Sequence, residues 1–285
     1  MFGFLNIRKP TGITSFAVIA ILRKKLGIKK IGHGGTLDPF AEGVLPIALG
    51  KATRLIDYLK NEKAYVATIQ FGKDTETYDI EGKIVKEYDT KIDGVNLAEI
   101  LPSFGGKIAQ IPPKYSAIKV GGKKLCYLAR KGQEVGKIEP RQVQIKAIRL
   151  LNFDFSQQQA QIYVECSKGT YIRSLAYDIG QKLNCGAYLA RLVRVNSSGF
   201  LLENSLDLET DNLLENLENP LKHLDLPTFE LNKNQFEKVI HGNQIKVEVE
   251  NFSDLILLYN KEIIAVANSE NSIITVKKVV YDEKD

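Results

Sequence analysis

The sequence predicts a mixed α/β protein with interspersed strands and helices, followed by a small β-rich module. Three observations carry that expectation. Tyr65, Ala67, Ile69 and Phe71 alternate with Val66, Thr68 and Gln70, the period of a strand with one buried face. Ile172, Leu175, Ala176, Ile179 and Leu183 recur at three- and four-residue steps, the period of an amphipathic helix. Several short β-like runs close the chain, at 255–259, 263–267 and 273–280. The length of 285 residues suits one large domain and a small one, on a prior of roughly 150 residues per domain. With 44% hydrophobic and 26% charged residues, the composition is globular, which excludes disordered, collagenous and coiled-coil classes.

The elements follow in chain order. The opening MFGFLNIRKP meets Lys and Pro before a signal-peptide core develops, and no apolar run reaches the ~18–20 residues of a membrane span. A soluble, cytoplasmic protein is expected. Thr14 or Ser15 can cap a helix whose apolar run, 16–22, ends in Arg23, Lys24 and Lys25, where cations suit the helix dipole. The glycine-rich stretch 31–50 reads as a structured loop leading into a strand or short helix. A second half-buried strand spans 161–167, with Ile162, Val164 and Cys166 on one face. The helix at 171–183 is expected to be capped by Thr170, with Arg173 in its first turn, off the apolar stripe. The acidic, Asn-rich stretch 203–225 reads as short helix and linker, and Pro220 and Pro227 mark a boundary.

The net charge of +5 is unevenly spread. Residues 1–60 and 114–150 carry +7 and +8, whereas 201–227 carry −6 and 228–285 carry −3. In the second basic segment the cations interleave with Tyr115, Tyr127, glycines and the Pro112-Pro113 pair. Such an arm can lie along a phosphate backbone or form an ordinary solvated surface.

Candidate chemistry is sparse. Cys126, Cys166 and Cys185 show no C-x-x-C spacing and the three histidines are dispersed, so free thiols are expected and a metal site is not. No dinucleotide fingerprint, Walker loop or G-x-S-x-G elbow occurs. Asp38 stands out because Gly34 and Gly35 precede it and Pro39 follows, which exposes a carboxylate on a glycine loop. Read locally, an Asp before Pro is a turn residue, and His33 a loop histidine or a base. No second acid is placed beside Asp38 by spacing, so paired-carboxylate glycoside hydrolysis is unsupported.

Taken together, KPTGITS (9–15), GHGGTLDP (32–39), GVLP and GKAT (43–46 and 50–53), QIPPKYSAIKVGGK (110–123) and SKGTYIRSL (167–175) with GAYL (186–189) resemble the TruB-type tRNA pseudouridine-55 synthases. The sequence departs from that pattern at Arg8, Tyr188 and Val193. The resemblance implies a pseudouridine synthase fold, with a mixed, largely antiparallel central sheet flanked by helices over residues 1–227. It also implies an RNA-gripping insertion at about 107–140 and a PUA-like RNA-binding module over 228–285. The implied reaction isomerises the T-loop uridine of tRNA, and requires no cofactor and no metal. A stand-alone, monomeric enzyme acting on the tRNA T arm is expected, with no membrane and no protein partner. An RNA chaperone without the chemistry is the alternative, and the Asp38, Tyr65 and Arg173 set weighs against it.

The resemblance also distributes roles. Asp38 corresponds to the catalytic aspartate, Arg173 to its guanidinium partner, and Tyr65 to the tyrosine that stacks on the base and can take the final proton from ring carbon 5. His33 would fill the space of the flipped base. Tyr171 and Leu192 would line the pocket. Lys9, Lys51, Lys114, Lys119 and Lys123 are expected as phosphate contacts.

Overall fold

The computed structural model describes residues 1–116, 118–120, 123–125, 127 and 138–281. Its centre is a nine-stranded mixed sheet. Strands β1 (Gly3–Lys9), β3 (Glu42–Leu49), β12 (Ala187–Ser197), β4 (Lys63–Phe71), β11 (Gln159–Cys166), β10 (Arg141–Asp154) and β7 (Gly106–Gln110) lie in that order. Short β2 (Ile31–His33) adds to β3, and β13 (Phe200–Leu201) to β12. Every pairing is antiparallel except β12 with β3, which run parallel through Val193↔Glu42 and Arg194↔Gly43. The expectation of a mixed, largely antiparallel sheet holds.

Sequence pattern accounts for the principal strands. Along β4 the residues Tyr65, Ala67, Ile69 and Phe71 are buried, and along β11 so are Ile162, Val164 and Cys166. These faces meet α2 (Gly94–Ile100) through Leu97 and α3 (Ile172–Lys182) through Leu175, Ala176 and Ile179 in one apolar core. Burying such side chains contributes about 1.5–3 kcal/mol each for the larger ones. Helix α1 (Ser15–Leu26) begins where the Thr14 hydroxyl accepts from the Ala17 N–H at 3.0 Å. It ends at Gly27, whose φ of 67° closes the last turn on the Arg23 carbonyl. Its buried face is Ser15, Val18, Ile19 and Leu22, and Phe16 points to solvent. Helix α3 departs from expectation at its start. The Thr170 hydroxyl donates to the Ser167 carbonyl at 2.9 Å instead of capping, and Tyr171 occupies the cap position without a side-chain bond.

The stretch 203–225 is not a free linker. It forms three short 3-10 turns laid along the outer edge of β1, where Arg8 donates to Leu206 and Phe4 exchanges bonds with Glu218. Leu208 and Leu213 are buried against β1 and α1, so the acidic residues face outward while the leucines close an exposed strand edge.

The carboxyl-terminal residues fold as a second, five-stranded sheet, ordered β14 (Thr228–Glu230), β16 (Phe252–Tyr259), β17 (Glu262–Glu270), β18 (Ile273–Val279) and β15 (Ile245–Lys246). A helix, α4 (Lys233–Val239), packs on it and starts with a reciprocal Asn232–Gln235 capping box. The two sheets do not have wholly separate cores: Phe4, Val44, Ala48 and Phe200 share one cluster with Ile256, Ile263, Val266 and Val280.

Candidate active site

Asp38 sits on the loop between β2 and β3, and that loop is pinned by the residues of the KPTGITS stretch. Lys9 is fully buried, and its ammonium donates to the carbonyls of Pro10 at 2.8 Å, Pro39 at 3.2 Å and Ala41 at 2.7 Å. The Gly12 N–H reaches the Pro39 carbonyl at 2.8 Å. The Ser15 hydroxyl accepts from the Leu37 N–H at 2.9 Å and donates to the Leu37 carbonyl. Lys9 therefore corrects the expectation of a phosphate contact. With no solvent exposure and three carbonyls around it, its charge is spent on holding the loop, and burial pushes its pKa down to about 8.

Arg173 joins the loop to two other segments. It lies in the first turn of α3, which sequence reading placed off the apolar stripe, yet it is only 6% exposed. Its Nε and Nη2 reach Asp38 Oδ2 and Oδ1 at 3.0 and 3.3 Å, and its Nη1 reaches Asp79 Oδ2 at 3.1 Å. The carbonyls of Thr77 and Tyr115 accept its remaining N–H groups. Asp79 is buried on the turn after β5 (Lys73–Thr75), preceded by Tyr78 in the left-handed region at φ 62°. The Tyr78 ring stacks on Tyr177 of α3 with centroids 4.1 Å apart, which anchors this turn beside Arg173. Burial raises the Asp38 pKa and the Asp79 charge adds to the rise, while Arg173 and Lys9 pull it down. The carboxylate is held by two N–H donors with its side chain 34% exposed, and so remains open to a substrate.

Tyr65 lies on β4 opposite Arg194 of β12, close enough for its hydroxyl to feel the Asp38 charge. Burial pushes its pKa up and Arg194 pulls it down. Leu192 is buried on β12 opposite Ala67. His33 ends β2, its Nδ1 accepting from the Gly35 N–H at 3.4 Å. Burial and the cations of Arg194 and Lys63 lower its pKa, which keeps the ring neutral. Tyr171 is fixed through its backbone, which exchanges two hydrogen bonds with the buried Gln110 side chain at 2.8 and 3.0 Å. An aspartate held by Arg173 and a tyrosine opposite Arg194 are thus brought near enough for the Asp38 charge to reach the phenol. Such a set can deliver nucleophilic attack or proton abstraction. Among the described residues, no three His, Cys, Asp or Glu side chains converge as metal ligands.

The basic positions fare differently. The Lys51 ammonium is engaged by the Tyr281 carbonyl, so it ties the second sheet to the first instead of facing outward as a phosphate contact would. Lys114 is exposed. The Lys119–Val120 and Lys123–Lys124 segments, β8 and β9, pair as a short antiparallel ladder. The side chains of Lys119 and Lys123, and residues 128–137 of the basic arm, lie outside the described residues. The segment read as an insertion from 107 begins inside the central sheet, as strand β7.

Residues 23–172 match the TruB family of pseudouridylate synthases, N-terminal domain. A tRNA pseudouridine synthase B of Carboxydothermus hydrogenoformans is 44% identical over 274 residues, 93% of each chain. The chain belongs to the TruB family. A further relative, tRNA pseudouridine synthase B of Dehalococcoides mccartyi, is 42% identical over 97% of this chain and 92% of its own. The TruB family isomerises uridine to pseudouridine. Its fold extends to a chain from a Cbf5-Nop10-Gar1 complex, at 24% identity and a TM-score of 0.75, covering 98% of this chain and 85% of that one. A chain from an H/ACA RNP bound to a substrate RNA gives a TM-score of 0.74 at 23% identity, over 99% and 86%.

Sequence reasoning missed four residues of this TruB-family site. Asp79 and Gln110 carried no local signal, because each acts on a partner more than 60 residues away. Arg194 and Lys63 carry no local signal either, because it is the pairing of β4 with β12 that brings them to the loop. Gly35 is glycine because its backbone φ of 130° is strained for any side chain, and the Lys63 ammonium lies 2.7 Å from where a Cβ would stand.

Proposed function

We propose that this chain converts the T-loop uridine of tRNA, position 55, to pseudouridine, acting as a monomer in the cytoplasm with Asp38 as the catalytic carboxylate. The observation that carries this reading is the side-on Arg173–Asp38 pair, which orients an accessible carboxylate on a glycine loop beside Tyr65. Relatives more than 40% identical over nine-tenths of their length are named for the tRNA reaction and support the choice of substrate.

In this reading the target nucleotide leaves its stack and enters the pocket, at a cost of a few kcal/mol. His33, neutral and at the loop's entrance, takes the vacated space. Asp38 attacks the ribose C1′ or removes the 2′-proton, and the bond from C1′ to ring nitrogen breaks with its electron pair on the base. The base rotates and its carbon 5 bonds to C1′ as the C1′–O bond to Asp38 breaks or, on the second route, as Asp38 returns the 2′-proton to C2′. The Tyr65 phenol gives its own proton to water, the C5 proton then passes to the resulting phenolate oxygen, its electron pair restores the C5–C6 double bond, and ring nitrogen 1 takes a proton from water. Tyr171 and Leu192 line the cavity. Residues 1–227 form the catalytic unit, and the PUA-like module over 228–285, with Lys114, Lys119 and Lys123, contacts the RNA backbone.

The test is site-resolved pseudouridine mapping of an unmodified tRNA transcript, with Asp38→Asn beside the wild type. Conversion confined to the T-loop uridine and lost in the variant, with tRNA affinity retained, is expected. A wild type that binds the transcript and leaves every uridine unchanged overturns the reading.

A further inference from the structure

Arg194 is the largest fully buried side chain among the described residues. Burying a guanidinium is costly unless it is paired, and the usual partner is a carboxylate. Arg194 has none within ion-pair distance among the described residues. Its Nε donates to the Val44 carbonyl at 2.7 Å, its Nη2 to Gly35 at 3.0 Å and its Nη1 to Thr36 at 3.4 Å. Those carbonyls lie on both sides of Asp38, so a single planar fork spans the loop. Beyond the carbonyls it faces the Tyr65 hydroxyl, directly across the β4–β12 pairing, and its charge also reaches the Lys63 and Lys9 ammonium groups and the His33 ring. Gly43 allows the approach, since a Cβ there would sit 2.3 Å from the Arg194 carbonyl.

We propose that Arg194 is a positioning residue for the isomerisation, fixing the Asp38 loop and the Tyr65 hydroxyl in one geometry and placing a permanent positive charge at the phenol oxygen that receives the C5 proton. The inference rests on the reading of Tyr65 given above. A guanidinium cannot take up a proton itself. In the step it favours, the C5–H bond breaks, the proton joins the phenolate oxygen, and the freed electron pair restores the ring double bond. Tyr65 loses that proton to water before the next turnover. A brace for the loop alone would need only the three carbonyl contacts. The charge at the phenol is the part of the arrangement that a purely structural role leaves unexplained. The other groups facing the phenol are Cys166 of β11 and Asp38 itself. Arg194 is the cation among them, and it opposes the effect of burial on the hydroxyl.

The experiment compares wild type, Arg194→Met and Arg194→Lys in single turnover on tRNA transcripts carrying hydrogen or deuterium at uridine C5. R194M is expected to slow conversion about 100-fold, the range of a lost acid–base contribution, with tRNA affinity unchanged. Its C5-deuterium effect should rise above that of the wild type, and the ascending limb of its pH profile should move to higher pH. R194K keeps the charge and loses the planar fork. It should recover part of the rate, with the loss in kcat and not in KM. If R194M does not fold, R194K alone carries the test: a change in KM with kcat intact overturns the proposal. An R194M that converts at the wild-type rate overturns it, as does one that slows with its isotope effect and pH limb unmoved. A wild type that converts nothing overturns the functional reading instead, and this inference with it.

Discussion

Arg173 grips Asp38 side-on, its Nε 3.0 Å from one carboxylate oxygen and its Nη2 3.3 Å from the other. The grip opposes burial, which raises the Asp38 pKa above the ordinary aspartate value. With Asp38 as the catalytic carboxylate proposed above, the ionised form reacts, so acidification should remove activity as pH falls through that raised pKa, earlier than for an exposed aspartate. Arg173→Met removes the main opposing cation and should move this acid limb to still higher pH, with a rate loss of about 100-fold or more. Single-turnover rates between pH 4 and 8 give both limbs.

Asp79 pushes the other way. Its charge contributes to the raised Asp38 pKa, so Asp79→Asn should lower the pH of the acid limb. Asp79 is also the buried second carboxylate on Arg173 and accepts from the Thr77 hydroxyl and the Glu81 N–H. Removing one partner of a buried pair is destabilising, here by about 2 kcal/mol because Asp38 remains to pair with Arg173. Urea denaturation measures the loss, and the pH profile separates it from the effect on Asp38.

Lys9 gives a prediction about stability at alkaline pH. Its pKa falls from 10.5 in a free side chain to about 8 in the fold. Between those values the unfolded chain binds the extra proton, so the cost of burying the charge is relieved as pH rises. Wild type should gain stability relative to Lys9→Met from pH 8 to 10, by at most about 1.4 kcal/mol per pH unit. Below pH 8 the difference should be constant. Denaturant midpoints at pH 7, 8.5 and 10 decide it.

Gly43 is the point where β3 can lie against β12. Its φ is 107° and a Cβ would meet the Arg194 carbonyl at 2.3 Å. Gly43→Ala should cost at least about 2 kcal/mol through backbone strain and the displaced strand. The same change should lower activity, because it moves Arg194 from the Asp38 loop. A melting curve and a turnover assay on one preparation test both.

Local periodicity made much of the architecture legible. The alternation from Tyr65 to Phe71 predicts β4, and the spacing of Ile172, Leu175, Ala176 and Ile179 predicts α3. The Asn232 to Gln235 capping signal is present in the sequence as well, although the expectation for 228–285 is a small module with β-like runs from 255 onward. Thr170 misleads because its hydroxyl has a competing carbonyl at Ser167, which no propensity anticipates. Asp38 is conspicuous because its loop is written in glycine and proline. Its supports are not, because Lys9, Asp79 and Arg194 are charged residues made internal by contacts distant in sequence. A buried charge and a solvated one have the same letter, and only the partner distinguishes them.

The seam formed by β12 has a consequence for the order in which the molecule is made. The carbonyls that hold Arg194 come from β3 and the loop before it, 150 residues earlier for Val44. Synthesis runs from the amino terminus, so the first strands leave the ribosome long before β12 exists to fill the gap between β3 and β4. Closing a loop of that size is delayed but thermodynamically modest, since its entropic cost grows only with the logarithm of length. Until then the Asp38 loop lacks its brace, and the edge of β1 lacks the cover supplied by 206–218. On the role proposed for Asp38, its carboxylate is therefore set in place late in the life of the nascent chain, and fragments that end before residue 194 should be catalytically silent.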